Sequence, residues 1–221
     1  MPAGAAPCDA PADCQACPRL AQFRAQNRLK APGWHNAPVA SFGDTSARLL
    51  IVGLAPGLQG ANRTGRPFTG DWAGDLLYAT LLEYGLAEGV YDERPDDSLR
   101  LKDAMITNAV RCVPPQNKPT PAEVATCRPF LLATLSAMPK LKAIVALGRV
   151  SHDSTLRALG VKLSAFPFTH GAAHLFHRAG TAPLTLFDSY HCSRYNTNTR
   201  VLTPEMFRTV FVRVADFLGR R

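Results

Sequence analysis

Three segments of this 221-residue chain concentrate side chains able to do chemistry. The first, residues 53–71, opens with Gly53-Leu54-Ala55-Pro56-Gly57 and runs on through Asn62-Arg63-Thr64-Gly65-Arg66-Pro67-Phe68-Thr69-Gly70-Asp71. The second, residues 108–119, carries Asn108, Cys112, two adjacent prolines, Asn117 and Lys118; the third, residues 189–199, carries His191, Cys192, Ser193, Arg194, Tyr195 and Asn196. Brought together, Asp71, Asn108, Asn117, His191, Ser193, Arg194 and Phe68 suit recognition of a base and hydrolysis beside a phosphate backbone. An amide orients water but is a poor base, and a neutral histidine can donate one ring N–H to a developing anion. Arg63, Arg66, Lys118, Arg194 and Arg200 are candidate phosphate contacts whose binding would be markedly salt-dependent. Each residue also has a plainer reading. Asp71 can cap a helix, Asn117 can shape a turn, His191 and Phe68 can belong to the core, and a single arginine is more often a solvated charge.

The cysteines form a second constellation. Cys14 and Cys17 are spaced Cys-x-x-Cys, and Cys112 and Cys127 form a further pair across a proline-rich loop. Four thiolates suit tetrahedral zinc or an iron–sulfur cluster, and spacing alone does not choose between them. Cys8 and Cys192 read as free thiols.

The elements that must position these groups follow from apolar patterning. Short apolar runs near residues 48–54, 104–110, 142–147 and 183–190 read as strands. Amphipathic stretches at 13–29, 73–86, 120–138, 149–159 and from Thr203 onward read as helices, the 120–138 segment opening with a Thr120-Pro121-Ala122-Glu123 capping box. Residues 30–46, 87–102 and 160–182 show no clear period and read as loops. Strands alternating with helices argue a three-layer α/β/α sandwich around a mostly parallel sheet, a single domain over residues 13–221 behind a disordered start at 1–12. In such sheets ligands sit at the carboxyl ends of the strands, which is where all three chemical segments emerge. The first is not a nucleotide P-loop, because no Gly-Lys-Ser/Thr follows it.

A net charge of +8 and a pI near 9.5 point to a polyanionic partner, nucleic acid before membrane surface. No apolar run is long enough to span a bilayer and no signal-peptide pattern opens the chain, so a cytoplasmic protein is expected; no apolar surface stripe is left over once the core is filled, so a monomer is expected.

The Gly-Leu-Ala-Pro-Gly and Asn-Arg-Thr-Gly-Arg-Pro-Phe-Thr-Gly-Asp runs, the His-x-Ser-Arg-x-Asn-Thr run at residue 191 and the four cysteines resemble the motifs of family 5 (B-type) uracil-DNA glycosylases, in order and over nearly the whole chain. The resemblance implies excision of deaminated bases, uracil and also hypoxanthine, from double-stranded DNA; no lysine is clearly placed as a Schiff-base nucleophile, so monofunctional action without strand cleavage is expected. It implies a 4Fe-4S cluster on Cys14, Cys17, Cys112 and Cys127. Asp71 and Asn117 would place the water. His191 would donate to uracil O2, helped by backbone N–H groups near Gly53, Leu54 and Ala55. Phe68 would stack on the base, and Asn108 would read its pyrimidine edge. Arg63, Arg66, Lys118, Ser193, Arg194, Tyr195 and Asn196 would face DNA. Ala55 replaces the polar residue that activates water elsewhere in the superfamily, which separates the chain from family 4, the nearest alternative. A non-catalytic iron–sulfur DNA-binding protein is the rival from another class. The zinc-deaminase signature is absent.

Overall fold

The structure is a computed structural model and describes residues 9–177 and 183–220. In chain order its elements are α1 (Pro18–Lys30), β1 (Phe42–Gly43), β2 (Leu49–Gly53), α2 (Ala61–Thr64), α3 (Trp72–Glu83), β3 (Ala87–Glu88), β4 (Arg100–Leu101), β5 (Ala104–Asn108), α4 (Pro121–Ser136), β6 (Ala143–Leu147), α5 (Arg149–Ala158), β7 (Ala173–Phe176), β8 (Leu184–Ser189), α6 (Arg194–Asn198) and α7 (Pro204–Phe217). The main sheet has the order β1-β5-β2-β6-β8-β7. Its four inner strands are parallel and its two edges antiparallel.

The inner strands are buried throughout because both faces are covered, although β5 carries Thr107 and Asn108 and β8 carries Thr185, Asp188 and Ser189. Leu49, Ile51, Ile106, Val145 and Phe187 turn to one side, against Leu77 and Leu81 of α3 and Phe207, Phe211 and Val214 of α7. Leu50, Val52, Met105, Ile144 and Leu186 turn to the other, against Leu131 and Leu135 of α4 and Leu156 of α5. The strand period of two thus builds two cores from one sheet, and the expected three layers follow. A third, smaller core joins Leu20 of α1 to Val110, Cys112, Val124 and Cys127. Among the described residues, no helix is long and apolar enough to cross a membrane.

Several expectations need correction. Residues 9–12 are held rather than disordered: Asp9 accepts from the Ser41 amide and hydroxyl at 2.9 and 3.0 Å and pairs with Arg111 at 3.3 Å. Cys8 lies outside the described residues, as do residues 1–8 of the expected disordered start. The first helix begins at Pro18 with Cys17 as its cap, because proline is suited to a first helical turn, so Cys14 sits in the turn ahead of it. Residues read as loop supply β1, β7 and the β3–β4 hairpin, three of them only two residues long, too short to show alternation. The Thr120–Glu123 capping box forms as expected.

Candidate active site

Strands β2, β5 and β8 deliver their carboxyl ends to one cleft of about 820 Å³. Leu54, Ala55, Phe68, Asp71, Asn108, Asn117, His191, Ser193, Arg194 and Tyr195 all line it, so the three segments converge as the topology requires. The turn from β6 into α5 also contributes, with Gly148, Arg149 and Val150 lining the cleft. Sequence reading missed it, although a Gly-Arg pair ending an apolar strand run was available as a signal.

Asp71 does cap α3, accepting from the Gly74 amide at 3.3 Å, but it also faces the cleft. Burial raises its pKa above the ordinary carboxylate value, against the lowering effect of the Gly74 and Ala73 amides. Two glycines shape its seat. A methyl group on Gly60 would lie 2.7 Å from Asp71 Cγ, and one on Gly57 would lie 2.8 Å from Oδ2. The carboxylate therefore occupies the space that both missing side chains leave.

Gly53 does the same for the floor. A Cβ there would come within 2.6 Å of the Phe68 ring and nearer still to Asn108 Oδ1. Phe68 is buried, with φ at +53°, and its ring stacks on His191 at 6.0 Å between centroids and 26° between planes. The conformation is held from outside: the Tyr91 hydroxyl donates to Phe68 O at 3.3 Å, and the Tyr78 hydroxyl donates to Pro67 O at 2.6 Å. Asn108 is 3% exposed, and its Oδ1 has no hydrogen-bond partner. An unpaired buried acceptor in a ligand cleft is costly unless something in the cleft satisfies it.

His191 stands opposite. Burial pushes its pKa down to about 4, so the ring is neutral at physiological pH. The side-chain amide of Asn196 donates to the His191 carbonyl at 2.8 Å, and Ser193 caps α6 through its hydroxyl. These two residues fix the loop as well as facing outward. Cys192 points away from the cleft, fully buried against Ala73 O. Asn117 is exposed, on a turn where Gln116 and Asn117 both have φ of +56°.

Of the cations, Arg63, Lys118, Arg194 and Arg200 are exposed. Arg66 is not: its guanidinium pairs with Asp97 at 2.7 Å, with side chains 6% and 2% exposed, and lies near the rings of Phe42, Tyr78 and Tyr91. Arg66 is a buried clamp and not a DNA contact. A sequence cannot show that three aromatic rings will close around it. Trp72 is the opposite omission, a half-exposed indole on the rim of the cleft that the sequence reading passed over.

Behind the cleft, Cys14, Cys17, Cys112 and Cys127 line one small cavity together with Leu20, Arg24 and Phe130. All four are free thiols. Burial pushes Cys112 up to about 12. Arg24, itself buried, reaches Cys112 Sγ at 3.5 Å, and the Arg111 amide donates to Cys127 Sγ at 3.3 Å.

An α/β sandwich that gathers a desolvated carboxylate, a neutral histidine and a buried ring at its strand ends defines a protein built to hold a flat ligand and hydrolyse a bond beside it. The sequence matches the family described as the uracil DNA glycosylase superfamily over residues 40–215, and the chain belongs to it. It is 44% identical to a type-5 uracil-DNA glycosylase of Thermus thermophilus over 93% of this chain and 94% of that one. It is 37% identical to a type-5 enzyme of Pyrobaculum aerophilum over 94% and 90%. A type-4 uracil-DNA glycosylase of Sulfurisphaera tokodaii shares 30% over 89% and 78%. Within the superfamily the chain thus groups with the type-5 proteins.

Proposed function

We propose that the protein is a monofunctional DNA glycosylase that removes uracil, and hypoxanthine beside it, from double-stranded DNA, acting as a monomer in the cytoplasm. The observation that carries this reading is the single cleft in which Asp71, Asn108, Phe68 and His191 meet. The extruded base enters between them. Phe68 stacks on its face, and the orphaned Asn108 Oδ1 accepts from uracil N3–H while its amide nitrogen donates to O4. The N-glycosidic bond breaks with its electron pair passing to uracil N1, and the charge spreads to O2. There the neutral His191 ring and the backbone N–H groups near Gly53–Ala55 donate to it. Water held by Asp71 and Asn117 adds to the sugar carbon and gives its proton to the Asp71 carboxylate, leaving an abasic site. A desolvated carboxylate is a better proton acceptor than a solvated one. Exposed Arg63, Lys118 and Arg194 contact the phosphates, with Ser193, Tyr195 and Asn196 facing the strand that bends to let the base out.

We also infer that the four cysteines hold a 4Fe-4S cluster. The four line one small cavity together. Four thiolates suit tetrahedral zinc or an iron–sulfur cluster, and the likeness to the type-5 proteins favours the cluster. When bound, the cluster ties α1 to the loop carrying Asn117 and to α4. Iron with equimolar acid-labile sulfide in anaerobically purified protein would support it; one zinc and no iron would reject it.

The test of the activity is base release from duplex oligonucleotides carrying one uracil or one hypoxanthine, with alkali used afterwards to cut abasic sites. Excision of both fits this reading, excision of uracil alone moves the chain towards type-4 behaviour, and tight binding without release refutes it. Asn108→Ala should slow uracil release far more than hypoxanthine release; an unchanged ratio would remove Asn108 from base selection.

A further inference from the structure

Trp72 follows Asp71 directly and forms the first residue of α3. It is 50% exposed, yet it is not loose. Its indole N–H donates to Thr197 Oγ1 of α6 at 3.0 Å, and the Arg194 guanidinium lies 5.8 Å from its ring centroid. The ring is thus fixed on the lip of the cleft by the loop that also carries His191, with much of its surface open. A large aromatic held rigid loses little entropy when something stacks on it. Phe68 lies inside, 7% exposed, and takes the base that enters. Trp72 stands outside it, on the rim of the cleft.

When one nucleotide leaves a duplex, the base beside it loses the face it was stacked on. We propose that Trp72 supplies a replacement face, stacking on the base adjacent to the extruded nucleotide. This role rests on the glycosylase reading above. It separates two aromatic duties: Phe68 holds the base to be cut, and Trp72 holds the distorted strand open around it. Stacking of a base on an aromatic side chain is sequence-tolerant, as a repair enzyme requires.

The chain has two tryptophans, so Trp34→Phe leaves Trp72 as its sole indole. That protein would be titrated with a duplex carrying a tetrahydrofuran abasic analogue, which cannot be hydrolysed, and with the same duplex undamaged. Indole fluorescence should be quenched by the abasic duplex and less by the undamaged one. Trp72→Ala should raise the dissociation constant for the abasic duplex about 5- to 150-fold, the range for one lost base–aromatic stack. The loss should fall mainly on the half-saturating DNA concentration in single-turnover uracil release, and Trp72→Phe should recover most of it. Unfolding curves of the three proteins separate this from damage to α3. Unquenched fluorescence while labelled DNA demonstrably binds, or a folded Trp72→Ala protein with unchanged affinity, would overturn the proposal. Wild-type protein that releases no uracil would instead remove the activity on which it rests.

Discussion

Gly60→Ala is the most direct probe of how the proposed catalytic carboxylate, Asp71, is held. The new methyl would lie 2.7 Å from Asp71 Cγ. Non-bonded carbons settle at about 3.5 Å or more, so the carboxylate must retreat by about 0.8 Å. Gly60 has φ of −95°, outside the left-handed region. A displacement near 1 Å of a reacting group costs on the order of 100-fold in rate. Gly57→Ala places its methyl 2.8 Å from Asp71 Oδ2 and touches only that oxygen at short range, so it should cost less. Single-turnover uracil release at saturating enzyme reads the chemical step, and DNA affinity measured alongside reads binding. The expected pattern is a fall in rate with near-constant affinity, larger for Gly60→Ala. Wild-type rates in Gly60→Ala, or equal losses in both variants that track affinity, would refute the steric seat as the device that places Asp71.

Asp71→Asn should abolish most activity yet raise the melting temperature at neutral pH. Folding raises the Asp71 pKa, so the folded protein loses stability as the carboxylate ionises, and the amide avoids that cost while still capping α3. For the same reason wild-type rate should climb with pH through a value above the ordinary carboxylate range. His191 acts in the reverse sense: its pKa falls from 6.5 to about 4 on folding, so the unfolded chain binds the proton first and stability should drop as pH falls across that window. His191→Gln, followed by denaturant unfolding at several pH values, should flatten that part of the profile. Arg66→Ala strands Asp97 in a buried site and should cost about 3–5 kcal/mol by denaturant melts, with no change in the salt slope of DNA binding.

The four inner strands were legible because burial on both faces makes each of them rich in apolar residues. The convergence of Asp71, Asn108 and His191 followed from topology alone, since parallel strands send their exits to one edge. What stayed hidden was set by contacts distant in sequence. Arg66 looks like any loop arginine until Asp97 and three rings enclose it. Gly57 and Gly60 read as generic loop glycines, and only the position of the Asp71 carboxylate reveals what they make room for. Asp9 sits in an Ala/Pro-rich stretch with no pattern of its own, and its order comes from Ser41 and Arg111.

Asp71 and Asn117, the two groups proposed to hold the water, are anchored very differently. Asp71 is packed against two glycines on a half-buried loop, whereas Asn117 hangs on a solvent-exposed turn beside Gln116, a residue type that rarely adopts the left-handed backbone it has here. Exposed turns open at far lower free energy than core strands. Warming the protein should therefore erode its turnover while the sheet is still intact, so that the enzyme has two thermal midpoints, one for catalysis and a higher one for the fold.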